Sequence, residues 1–280
     1  MPAKKLIVIT GPTASGKSAL AVEMALRLGC DVISADSRQI YAGIPIVTAQ
    51  PSMEERRGVP HHLIGSLPLD AYYSAAEFER DALRLVYEQF SRSDFAIVCG
   101  GSMMYVDALC NGIDDIPTIP EDFRNELKAS HAEKGNDWLL ATLKLIDPDY
   151  YRNADIRNIK RIFHAVEISL YAGKPYSSFL TGRKKVRPFD IEKRIIEMPR
   201  DLLFERINRR VDRMVESGLE EEALKVYPLK GLNSLNTVGL KEMFAYFEGF
   251  MDRHTAIERI KKNTRVFAKK QLTWLGKQLK

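Results

Sequence analysis

The stretch Gly11-Pro-Thr-Ala-Ser-Gly-Lys-Ser18 lies between a short apolar run, Leu6-Ile-Val-Ile9, and a segment of strong helix formers, Ala19-Leu-Ala-Val-Glu-Met-Ala-Leu26, closed by Gly29. A run of four buried-type residues bounded by lysines and a glycine predicts a parallel strand, and the segment after the loop predicts a helix with a glycine cap. The order is therefore strand, glycine loop, helix. In that context G-x-x-x-x-G-K-[ST] is a phosphate cradle: the backbone N–H groups of the loop formed by Gly11, Pro12, Thr13, Ala14, Ser15 and Gly16, all but Pro12 carrying one, curl toward phosphate oxygens at the positive end of a helix. Lys17 brings a point charge to the terminal phosphates and Ser18 a hydroxyl to Mg²⁺, with Asp36 as a second candidate ligand. Kinases, nucleotide hydrolases and transferases that grip only a diphosphate all carry such a loop, so the phosphate compound stays open here.

Composition places the rest. Of 280 residues, 45% are hydrophobic and 28% charged, enough for one large domain with an insertion or for two domains. The formal charge is a mild +5, yet nine Lys or Arg against one acid fall between Arg253 and Lys280. Cys30, Cys99 and Cys110 show neither metal-ligand nor disulfide spacing. With no apolar stretch near the roughly 20 residues needed to cross a bilayer, and no signal-like start, a cytoplasmic protein without membrane association is expected.

Further strands are read at Asp31–Ala35, Phe95–Cys99 and Lys193–Met198, the first ending at Asp36 and the second at Gly100-Gly-Ser102. Strand ends beside a phosphate loop are where open α/β sheets bind ligands, which puts Asp36 at the site; a turn cap is the alternative use of its carboxylate. Residues 42–70 read as a long ordered loop, with His61 and His62 in structural roles. Ser74 and Glu77 form a capping box before a helix. From Gly112 the pattern turns helical, with helices at 121–134, 137–146 and 155–172. Lys160 and Arg161, with Arg183, Lys184, Lys185 and Arg187, make a basic surface able to hold nucleic acid or simply a solvated face. Past Pro199, Arg206 and Arg210 lie one helical turn apart without acidic partners, which suits a second grip on diphosphate.

Taken in order, Gly11–Ser18, Asp36-Ser-Arg-Gln-Ile-Tyr41, Pro60-His-His-Leu63, Gly100-Gly-Ser102 with Tyr105, Lys160-Arg161, Gly173-Lys-Pro175, Arg206 and Arg210, Val238-Gly239, and Thr264-Arg265 with Ala268-Lys-Lys-Gln-Leu-Thr-Trp274 resemble the bacterial tRNA dimethylallyltransferase family across nearly the whole chain. The resemblance implies an α/β fold, a P-loop NTPase-like parallel sheet core flanked by helices, with an all-helical insertion domain. It places the core at residues 1–112 and 190–280 and the insertion at 113–189. It implies transfer of a dimethylallyl group from its diphosphate to N6 of adenosine 37 in tRNAs reading codons that start with U, with Mg²⁺ as cofactor, the tRNA anticodon stem-loop as partner and a monomer as the unit. By position, Asp36 resembles the catalytic base, with Thr13 and Arg210 beside it. Gly11 to Ser18, Arg206 and Arg210 resemble the diphosphate binders. Asp36, Ser37, Arg38, Gln39, Ser102 and the run Lys160, Arg161, Ile162, Phe163, His164 resemble tRNA contacts. His164, Ser102, Leu240 and Gly276 stand where that family more often has other residues. A small-molecule or nucleoside kinase and a non-catalytic nucleic-acid-binding module are the rival readings.

Overall fold

The computed structural model describes residues 4–278 and divides into two compact units, one formed by residues up to Gly112 with those from Val186 onward, the other by Ile113–Lys185. Met1–Ala3, Leu279 and Lys280, the last belonging to the basic tail, lie outside the described residues.

The first unit opens with β1 (Lys5–Thr10), α1 (Lys17–Leu28), β2 (Val32–Ser34), α2 (Met53–Arg56), β3 (His61–His62), α3 (Ala75–Phe90), β4 (Phe95–Gly100) and α4 (Met103–Asn111). The second holds α5 (Glu121–Ile146), α6 (Pro148–Asn153) and α7 (Ile159–Ala172). The chain then returns as β5 (Asp190–Ile195), α8 (Arg200–Glu216), α9 (Leu219–Val226), α10 (Leu240–Phe247) and α11 (Arg253–Gln278). The sheet is wholly parallel in the order β3-β2-β4-β1-β5, so consecutive strands are joined by crossovers. Leu6, Val8 and Ile9 of β1 and Ala96, Ile97 and Val98 of β4 have no exposed surface. Each large aliphatic among them is worth about 1.5–3 kcal/mol on burial, which is why the two central strands read as unbroken apolar runs.

Some boundaries differ from the sequence reading. The last strand runs Asp190–Ile195 rather than 193–198: it is a charged, half-exposed edge paired with β1 from Lys5↔Asp190 onward, so its apolar residues do not mark its start. The helix expected from 155 begins at Ile159, because the Asn158 side chain accepts from Arg161 N–H and caps it there. The break expected between helices 121–134 and 137–146 is present: within the span α5 the non-helical Gly135, at φ 76°, parts one helix from the next. Val186–Phe189 belong to the first unit: the Arg187 side chain is covered and donates to Glu79 and to the carbonyls of Ala108 and Leu109.

The capping box at Ser74 and Glu77 is present, with both reciprocal bonds made. His61 Nδ1 bonds the Val59 carbonyl, and His62 joins Arg92 on the buried Asp31 carboxylate, so both histidines serve the structure. Among the described residues no helix is long and apolar enough to cross a membrane.

What places the site is the contact of β4 with β2 at their C-terminal ends. Ala35 N–H donates to the Cys99 carbonyl and Ser102 N–H donates back to the Ala35 carbonyl. A Cβ at Gly100 would lie 2.1 Å from that carbonyl oxygen, so only glycine allows the approach. Gly100→Ala is therefore expected to cost about 3 kcal/mol or more through a backbone clash and to lower Tm by roughly 6–12 °C in a unit of this size. A melting curve within two or three degrees of wild type would contradict the contact.

Candidate active site

The glycine loop leaves β1 and enters α1 with two residues in left-handed conformation, Ala14 at φ 63° and Gly16 at φ 97°. Alternation of this kind points successive N–H groups into one concavity. Two amides are already committed, Thr13 N–H to the Gln271 side chain and Ser15 N–H to the Pro12 carbonyl. The loop residues that line the adjoining cavity of about 730 Å³ are Ala14, Gly16, Lys17 and Ser18. The Ser15 hydroxyl is buried beneath the loop without a partner in the structure and does not line the cavity. Ala14 seats the loop on α8 and α11 by packing against Leu203, Ile207 and Ala268.

The opposite wall comes from α8. Arg206, Arg210 and Arg213, at i, i+4 and i+7, all line the cavity, so one face of the helix presents three guanidinium groups. Arg206 and Arg210 were expected from the sequence; Arg213 was not, although its i+7 spacing marks it. The Lys17 ammonium donates to the Pro12 carbonyl at 2.7 Å, and burial, aided by Arg210, lowers its pKa to about 8 against the opposing pull of Cys99 and Asp36. Arg210 is likewise pushed down by burial, with Asp36 and Glu55 pulling the other way. Cys99 is a core thiol whose pKa burial raises to about 11. The cavity is thus rich in cations with few anions to match, a setting for a polyanionic ligand.

A second cavity of about 320 Å³ adjoins it, its lining including polar Thr13, Asp36, Ser37, Arg38 and Ser102 and apolar Val47, Val211, Met214, Val238 and Phe267. Arg210 and Met214 line both cavities. Asp36 Oδ1 accepts from Arg38 and Gln39 N–H and caps the turn, and the residue also lines this cavity. Ser37 N–H donates to the Ser102 hydroxyl at 2.8 Å, tying the Asp36 turn to the β4 end. Thr13 Oγ1 accepts from Arg210 at 3.0 Å.

Not every expected contact residue faces a cavity. Gln39 lines neither; its amide holds the Thr48 and Ala49 carbonyls and so shapes the 42–50 loop. Arg38 lines the smaller cavity while its guanidinium also anchors the carbonyls of Asn233 and Ser234. Buried Glu222 accepts from Ile46 and Val47 N–H, placing Ile46 in the larger cavity wall and Val47 in the smaller. Among the described residues no group of three His, Cys, Asp or Glu side chains could hold a metal. Ser18 lines the larger cavity and Asp36 the smaller one that adjoins it.

In the helical unit Lys160, Arg161 and His164 are exposed on α7, Phe163 is half-buried, and Ile162 is fully buried in the core with Leu139 and Leu143. Ile162 therefore holds the helix in place, and the polar members of the run carry its outer face. Glu167, buried beneath, is pushed up by desolvation, but His164 and Arg124 outweigh that and hold it below the usual carboxylate range.

The model of the IPP transferase family matches residues 39–278. The chain is 47% identical over 96% of its length to a protein of Bacteroides thetaiotaomicron named tRNA dimethylallyltransferase 1, covering 87% of it. It is 50% identical over 96% of its length to tRNA dimethylallyltransferase 2 of Porphyromonas gingivalis, covering 90% of that protein. Among solved structures it resembles the tRNA isopentenylpyrophosphate transferase of Bacillus halodurans, at 38% identity with a TM-score of 0.68 over 97% of this chain and 86% of that one. It also resembles a eukaryotic dimethylallyltransferase acting on tRNA, at 28% identity with a TM-score of 0.83 over 98% of this chain and 70% of that one. With a family match over most of its length and relatives near half identity along nearly all of it, this chain belongs to the IPP transferase family.

Proposed function

We propose that the protein transfers a dimethylallyl group from dimethylallyl diphosphate to N6 of adenosine 37 in tRNAs that read codons beginning with U. The observation that carries this reading is the shared wall of the two cavities: Arg210 and Met214 bring a diphosphate grip beside the cavity that holds the Asp36 carboxylate. The diphosphate lies in the larger cavity against Lys17, Arg206, Arg210 and Arg213, and the dimethylallyl group against the apolar side of the smaller one.

The exocyclic amine of adenine is a poor nucleophile, because its lone pair is delocalised into the ring. Asp36 Oδ2 accepts its proton as the new C–N bond forms, while Oδ1 stays fixed in the turn. Departure of the allylic diphosphate builds negative charge where the loop amides, Lys17 and Arg210 are aimed. Met214, Val47 and Phe267 keep water from an allylic carbon that it would otherwise capture. A stacked adenine must leave its stack to reach this pocket, at a cost of a few kcal/mol.

Ser18, exposed at the first turn of α1 beside the larger cavity, would be a protein ligand to Mg²⁺, an ion that usually takes few protein ligands. When bound, Mg²⁺ neutralises part of the charge on the leaving group. The exposed Lys160, Arg161 and His164 of α7 supply the helical unit's contacts to RNA phosphate.

Mass analysis of unmodified tRNA incubated with dimethylallyl diphosphate and Mg²⁺ should show a prenylated adenosine 37, formed about 10²-fold or more slowly by Asp36→Asn with little change in diphosphate affinity. Transfer of a phosphoryl group from ATP in place of prenylation would overturn the reading. Because the Lys17 ammonium must be charged to grip the diphosphate, affinity for dimethylallyl diphosphate should fall as pH rises through about 8. The same depression has a sign for stability: burying the charged lysine costs the free protein stability below about pH 8, a penalty relieved between there and the unfolded value of 10.5. Lys17→Met should accordingly raise the Tm of the free protein at pH 7 while losing both the diphosphate and the pH-dependent affinity; an unchanged affinity profile would remove Lys17 from the grip. Replacing Lys160 and Arg161 together by alanine should weaken tRNA binding and flatten its salt dependence by about one to two units of slope. A wild-type slope would place the RNA elsewhere.

A further inference from the structure

Gln271 lies on the buried face of α11, between Ala268 and Leu275, and is itself only 3% exposed. Its side-chain amide is spent on two backbone groups that belong to different walls of the site. The Oε1 atom accepts from Thr13 N–H of the glycine loop at 2.8 Å, and Nε2 donates to the Gly101 carbonyl at the end of β4 at 2.9 Å. The fit is close: a Cβ at Gly101 would lie 2.4 Å from Nε2.

Each end of this bridge leads one step further to a working group. Thr13 Oγ1 receives Arg210, which lines the larger cavity. Gly101 precedes Ser102, whose hydroxyl receives Ser37 N–H and so holds the turn that presents Asp36. The leaving-group grip and the proton acceptor stand on separate strands, β1 and β2, and the amide of Gln271 ties the loop after one to the loop after β4 that braces the other. We propose that Gln271 is a positioning residue for the transfer reaction, holding the Arg210 grip and the Asp36 base at the spacing at which the prenyl carbon meets the amine. This rests on the function proposed above. Reacting groups displaced by about 1 Å can lose about 10² in rate without losing affinity, so the signature is a change in kcat.

The test uses Gln271→Met, which fills the same volume without hydrogen bonds, and Gly101→Ala, which displaces the amide from the opposite side while leaving Gln271 in place. For each, turnover with tRNA and dimethylallyl diphosphate, KM for tRNA and Tm are measured, in the wild-type and Arg210→Ala backgrounds. The expected result is a fall in kcat of about 10² with KM for tRNA within about threefold and Tm within a few degrees, shrinking to less than about threefold when Arg210 is already alanine, because the spacing the bridge sets is that between this arginine and Asp36. A residue that only docks α11 would lower Tm, leave kcat of the folded protein intact and show the same factor in both backgrounds. Wild-type kcat in a folded Gln271→Met, or a full additive loss in the Arg210→Ala background, overturns the proposal; should Gln271→Met fail to fold, Gly101→Ala decides by the same criteria. Failure of the wild-type protein to prenylate tRNA would instead count against the function itself.

Discussion

The structure depends on how closely the C-terminal ends of its parallel strands can approach. Hydrogen bonds between Ala35 and the Cys99–Ser102 segment draw β2 and β4 together where Gly100 has no side chain to keep them apart. From that contact the Asp36 turn, the Gly100-Gly101 segment and the glycine loop after β1 all open on the same edge of the sheet. A parallel sheet presents every such loop at one end, which is why a phosphate grip and a carboxylate from different strands can share a wall. The helices complete the enclosure: α8 contributes the arginine face, and α11 locks the loops through Gln271.

The electrostatics of that edge follow from burial. Lys17 and Arg210 are half-buried, and desolvation lowers the pKa of both. Holding charge there costs the free protein, and the same desolvation strengthens the attraction of both groups for an anion placed between them. Asp36, half-buried with one oxygen fixed by two amides, is aimed without being spent. The helical unit solves a different problem. Its core is built around Leu127, Leu139, Leu143 and Ile162, and a buried Glu167 is balanced by Arg124 and His164, which leaves the outer face of α7 free to be basic.

The residues of the site differ in how legible they were. The glycine loop could be read outright, because eight consecutive positions carry the chemistry and their flanks supply the confirming strand and helix. Arg206 and Arg210 were visible as cations without helical partners, and Arg213 could have been added by the same periodicity. Gln271 appeared only as one letter of a motif; its signal was a polar residue on the apolar face of α11, which says that something must satisfy it but not what. Gln39 shows the reverse: adjacent to Asp36 in sequence, it turns inward to hold the 48–49 carbonyls.

By itself the amino-acid sequence determined the local order of strand, loop and helix, the parallel character of the central strands and the cationic nature of the ligand grip, because each of these is set by neighbours within about a helical turn or a strand length. Only the tertiary structure decided that Arg210 faces Thr13, that Ser102 braces Ser37 and that Gln271 spans two loops, since these contacts join residues 65 to 258 positions apart. Contacts of that kind are made by packing helices onto a sheet, and no local periodicity encodes which two side chains will meet.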